Sequence, residues 1–139
     1  MDVADHLGAR MALTYLAATY ANNMLGQITT TGLFMSIHSA SPSNTGANEL
    51  VAGTAYTLVS GGRPPITWAG ASNGVVVSSD TQTYAMLVVE AGGIPYFGLW
   101  TANSAGTYLF GGTTSGLSGS IPIGANVTFT SAVTLTQSG

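Results

Sequence analysis

Near the N-terminus the apolar positions recur with a helical period. Leu7, Met11, Tyr15 and Ala18 form one stripe, and Leu13, Leu16, Tyr20 and Met24 form a second. No proline interrupts Val3 to Leu25, alanine and leucine are frequent, Asp2 suits an N-cap and Asp5 suits the first turn. The pattern predicts one helix within residues 1–26, stopped by Asn22, Asn23 and Gly26. A surface helix needs a single apolar face. Two stripes imply burial on a second side, under the chain's own domain or against another subunit. Leu7, Met11, Leu13, Tyr15, Leu16, Tyr20 and Met24 are therefore the candidate assembly residues.

After Gly32 the period falls to two. Leu33, Met35 and Ile37 alternate with Phe34, Ser36 and His38, which predicts a first strand. A turn-rich loop follows from Ser39 to Gly53. Further strands are expected at Ala55–Ser60, Ile66–Trp68, Val75–Ser79, Thr83–Glu90, Ile94–Trp100 and Thr107–Phe110. Gly61 to Pro65 and the Asn73-Gly74 turn separate them. The glycine-rich stretch Gly111–Gly119 reads as a loop. The last strand places Val127, Phe129, Val133 and Leu135 on one face and Asn126, Thr128, Thr130, Thr134 and Thr136 on the other. Many short strands without βαβ alternation predict a mainly β fold, an antiparallel, jelly-roll-like β-sandwich over residues 33–139, preceded by the N-terminal helix.

Composition changes the picture most through charge. Only 5% of the 139 residues are charged, against about a quarter in an average domain. Lysine is absent, and Arg10 and Arg63 are the only strong bases. A surface of Ser, Thr, Gly and Asn lacks the repulsion that keeps lone domains apart, so the chain is expected to live packed among neighbours. Two arginines cannot neutralise a nucleic-acid backbone. No apolar run reaches membrane-spanning length, and Asp2 and Asp5 stand where a secretory signal would be positive. No cysteine is present, which removes disulfides and Cys-based zinc sites.

Candidate chemistry is sparse. His38 at a strand end fits a hydrogen-bonded structural role better than catalysis with Asp80 or Glu49, because no Gly-x-Ser-x-Gly elbow accompanies it. Glu49, Asp80 and Glu90 occupy positions where carboxylates are solvated or paired, not poised for glycoside hydrolysis. No metal-ligand spacing occurs, and Asn126-Val127-Thr128 is a chance sequon within a strand. The aromatics Trp68, Tyr96, Trp100 and Tyr108 lie in or beside expected strands. Core filling is their commoner use; as surface contacts, Trp68, Tyr96 and Trp100 are the candidates for a sugar or protein partner.

Several stretches, in order, resemble one family. Ser36 to Pro42 resembles "L-H-T-x-x-P"; Thr45-Gly46-Ala47-Asn48-Glu49-Leu50 resembles "T-G-x-N-E-V"; Gly53 to Tyr56 resembles "G-G-x-Y-x-R". Phe97 to Ala102 resembles "F-G-[IL]-W-x-A", Gly106 to Gly111 resembles "G-x-L-L-x-x-G", and Ile121 to Leu135 resembles a closing "I-x-x-G-D-x-x-x-F…L-x-V-T-L". Together these resemble small virion structural proteins of tailed bacteriophages. Ser41 replaces the usual Asp, Ala125 replaces the late Asp, and the arginine after the tyrosine is missing nearby, with Arg63 coming later. The resemblance implies a non-enzymatic tail fibre or minor tail protein, with capsid decoration as the alternative. It implies no catalytic residue, cofactor or metal. The expected partners are copies of itself, trimers being favoured, and other virion proteins. A host-surface glycan is the further partner class that the aromatics admit. The expected location is the virion, on tail or capsid surface, after synthesis in the host cytoplasm.

Overall fold

The computed structural model describes residues 17–57, 61–130 and 132–134. The chain is mainly β: helix α1 (Ala18–Thr30) is followed by strands β1 (Leu33–His38), β2 (Pro65–Ile66), β3 (Val75–Val77), β4 (Gln82–Ala85), β5 (Tyr96–Trp100), β6 (Tyr108–Thr113), β7 (Asn126–Phe129) and β8 (Ala132–Thr134). One four-stranded sheet has the order β2-β1-β5-β6, and two ribbons pair β3 with β8 and β4 with β7. All of these strand pairings are antiparallel. The sheets stack in a sandwich-like manner.

The core fills the space between them. Leu33, Met35 and Ile37 from β1 and Leu99 from β5 meet Tyr84 and Met86, with Val127 and Phe129 beneath. Tyr84 fixes the stacking. Its ring sits edge-on to Tyr56 (4.8 Å) and Phe129 (5.6 Å), and its hydroxyl crosses to donate to the Met35 carbonyl at 2.8 Å. Each such edge-to-face pair contributes about 0.5–1.5 kcal/mol beyond burial.

The helix differs from the sequence expectation. Residues 1–16, with Leu7, Met11, Leu13, Tyr15 and Leu16, lie outside the described residues. The helix does not stop at Gly26 but runs to Thr30. Gly26 has open space where a Cβ would be and takes no left-handed conformation, so it does not terminate the helix as a C′ glycine would. Thr29 and Thr30 instead bond back to the Gly26 and Gln27 carbonyls. Asn22 is no stop either: its Oδ1 accepts from Gly74 N at 2.8 Å, tying the helix to the β3 turn. Ala21 and Leu25 are buried, whereas Tyr20 and Met24 are 61% and 44% exposed.

Strand expectations also change, and the run expected over Thr83–Glu90 ends at Ala85. Ala55 lies in a turn and Tyr56 forms only isolated bridges, with Leu58 to Ser60 outside the described residues. Gly111 to Thr113 continue β6 rather than opening a loop. A Cβ on Gly111 would run into the Phe97 carbonyl, so these glycines permit close strand approach. The final alternation is real for Val127 and Phe129, but the strand divides: β7 pairs with β4 and β8 with β3. The Asn73-Gly74 turn forms as expected, with φ of 51° and 74° and reciprocal Ser72–Val75 bonds.

Candidate functional site

The two faces of the four-stranded sheet differ in chemistry. One carries the core residues. The other places Ser36 opposite Gly98, Phe34 opposite Trp100 and His38 opposite Tyr96. The loop between β1 and β2 folds over this second face. It is held by Leu50 N to Ile37 O and Ala47 N to Pro42 O, both 2.9 Å.

At its centre is an ion pair. Arg63 Nε donates to Glu49 Oε1 at 2.6 Å and its terminal nitrogen donates to Oε2 at 2.7 Å. This two-pronged geometry is the strong form of the interaction. The other terminal nitrogen donates to the carbonyls of Ala102 (3.1 Å) and Ala105 (2.8 Å). Arg63 is 8% exposed, and its Cζ lies 3.7 Å from the centre of the Trp100 ring. One guanidinium thus joins the Glu49 loop, the Ala102–Ala105 loop and strand β5. Ala105 has φ 53°, a left-handed conformation costing about 1 kcal/mol or more for a side chain with a Cβ. The Arg63 bond to its carbonyl holds it there.

Trp100 continues the network inward. Its Nε1 donates to Ser36 Oγ at 2.7 Å, and Ser36 Oγ lies 2.7 Å from His38 Nε2. His38 Nδ1 is 2.7 Å from the Ala47 carbonyl, which can only accept, so Nδ1 carries the proton. Burial holds the imidazole below its usual pKa, against the raising effects of that carbonyl and Glu49. Neutral His38 therefore accepts from the Ser36 hydroxyl at Nε2. Ser36 and His38 look like a nucleophile and base, but both are 0% exposed. Their bonds are spent on orienting Trp100 and Ala47, as expected for a structural histidine. Asp80 is engaged elsewhere, accepting from Thr67 N and Gln82 Nε2. Among the described residues no group of three His, Cys, Asp or Glu is placed to hold a metal ion, and no helix is long and apolar enough to cross a membrane.

The three expected aromatic contacts are dispersed. Trp68 packs against the core from beside β3. Trp100 belongs to the arginine clamp and stands edge-on to Tyr108 at 5.3 Å. Tyr96 lines a separate groove of about 430 Å³ between the 41–44 loop and β6, together with Tyr108. Among the described residues no ring contact joins Trp68, Tyr96 and Trp100.

Sequence reasoning did not foresee the Glu49–Arg63 clamp or the groove. The available signal was the order of resembling motifs: Glu49, Trp100 and Ala102 each sit in one, whereas Arg63 lies outside them. A family model described as Podophage GP4 fiber I protein gp80 matches residues 11–135. No curated protein matches the chain.

Proposed function

The chain belongs to the podophage GP4 fiber I protein gp80 family, and from this we propose that it is a non-enzymatic structural subunit of a tailed-phage fibre. It assembles through symmetric contacts with copies of itself, as a trimer, and with other virion proteins. The family match over almost the whole chain carries this reading and favours a fibre over capsid decoration.

The helix supplies the contact. Ala21 and Leu25 tie it to its own domain, while Tyr20 and Met24, one turn apart on a neighbouring face, meet water. A charge-poor surface adds little repulsion, and repetition of many weak contacts gives avidity.

Light scattering on the purified full chain tests the proposal. The wild type should be trimeric, and Tyr20→Ser/Met24→Ser should be largely monomeric with wild-type circular dichroism. A wild-type chain that stays monomeric at high concentration, or a variant that assembles normally, would refute it.

A further inference from the structure

We propose that the groove between the 41–44 loop and strand β6 is a binding site for a neutral saccharide. Its floor is the backbone of Gly111 and Gly112, flanked by the half-buried Tyr96 and Tyr108. Ser41, Ser43 and Asn44 supply its rim, and among the described residues no charged side chain lines it.

The sheet is built to seat Tyr108. A Cβ on Gly98 would come within 2.9 Å of Tyr108 Cε2, one on Gly111 within 2.6 Å of its hydroxyl, and one on Gly46 within 2.9 Å of Cδ2. Gly98 and Gly111 are register partners on adjacent strands. Three close backbone approaches therefore lay the Tyr108 ring against a glycine-paved strip, and Trp100 abuts it edge-on. Gly98 and Gly111 take ordinary strand conformations, so space is what they provide. The Tyr108 phenol, which burial pushes upward, is neutral near pH 7 in any case and can both donate and accept.

A pyranose matches this inventory. Its C–H face packs on aromatic rings and its hydroxyls exchange bonds with serine hydroxyls, a side-chain amide and a phenol. An uncharged wall offers nothing to phosphates or acidic sugars. A strand-adding peptide needs pockets for alternate side chains, which a floor of two glycines does not provide. Its lining includes Leu109 and Phe110, which also border the helix end at Gln27 and Ile28, but not Tyr20 or Met24, so it does not rest on the fibre reading.

Saturation-transfer NMR on the full chain tests it. The probes are neutral trisaccharides of glucose, galactose, mannose, rhamnose and N-acetylglucosamine, with a sialylated trisaccharide and a neutral hexapeptide library as comparators. At least one neutral sugar should bind, and Tyr96→Ala and Asn44→Ala should each weaken it about threefold to tenfold, the scale of one lost contact. Both variants should keep the wild-type circular dichroism, and Val89→Ala, exposed and outside both the groove and the helix, should bind normally. The proposal is overturned if no neutral sugar binds up to about 10 mM, if binding survives both groove substitutions, if Val89→Ala weakens it equally, or if only the acidic sugar or the peptides bind.

Discussion

The guanidinium of Arg63 lies over the indole of Trp100, 3.7 Å from Cζ to the ring centre, while the same group holds the Glu49 carboxylate with two bonds. Arginine is suited to this because its plane stacks while its edge donates. In a chain with two arginines and no lysine, the cation is used to bind three segments together. The resulting clamp covers one face of the sheet, as hydrophobic packing fills the other.

Removing one partner should strand a charge. Arg63→Met is expected to cost about 3 kcal/mol, the range for a broken buried pair. Arg63→Lys should fall between, keeping charge but losing the fork. The double variant Arg63→Met/Glu49→Leu should be less damaging than the two singles added together. Urea unfolding of the wild type, both singles and the double measures the coupling, and additive losses would show that the pair is not coupled.

Acid should weaken the fold through His38. Its folded pKa is depressed chiefly by burial, so the unfolded chain takes up the proton first. The stability it contributes is complete above the unfolded value of about 6.5 and is lost as pH falls from there through the folded value. The slope should reach at most about 1.4 kcal/mol per pH unit for this one proton. Unfolding midpoints between about pH 7.5 and 5 measure it, and His38→Gln should remove that component.

The glycines of the covered face should be irreplaceable for spatial reasons. On Gly98→Ala the new methyl would stand 2.7 Å from Ser36 Oγ, 2.8 Å from His38 Nε2 and 2.9 Å from the Tyr108 ring. A cost of about 1–3 kcal/mol is expected. Gly70→Ala, with open space around it, should stay within about 0.5 kcal/mol of wild type. Thermal unfolding of the two variants separates crowding from a general dislike of alanine.

The helix should divide into a folding face and an assembly face. Leu25→Ala is expected to cost about 2–4 kcal/mol, since Leu25 is 1% exposed. Met24→Ser should weaken self-association, and any fall in midpoint should vanish at concentrations where the wild type is itself monomeric. Cutting the chain at Gly26 would remove Ala21 and Leu25 along with the outer face, and should therefore lower stability as well as assembly. Calorimetry beside light scattering distinguishes the two effects.

Local pattern revealed the elements whose cause is local. Val127 and Phe129 bury alternate positions because one side of β7 faces the core; in β1 Leu33, Met35 and Ile37 mark the core side, while Ser36 and His38 on the other side are buried as well. The Asn73-Gly74 turn follows from positive φ at both residues. What the sequence concealed depends on residues far apart. Gly26 resembles a helix stop, yet Leu25 and Asn22 are engaged by the domain and the helix continues. Gly111 and Gly112 resemble a loop, but their purpose is set by Phe97 and Tyr108. The division after Phe129 has no Gly or Pro to announce it. Glu49 and Arg63 sit in separate loops without periodicity, so only their three-dimensional meeting discloses the clamp.

The split between β7 and β8 also governs the order of events during synthesis. Gln82–Ala85 and Val75–Val77 emerge from the ribosome before their ladder partners Asn126–Phe129 and Ala132–Thr134, and nearer segments reach them only through isolated bridges, Tyr56 with Met86 and Trp68 with Ser78. Pairing across such separations is slow to form. A nascent chain ending before Asn126 leaves one edge of each of these strands unpaired, a condition that exposes it to aggregation. Both ribbons therefore wait on the last strands to be made.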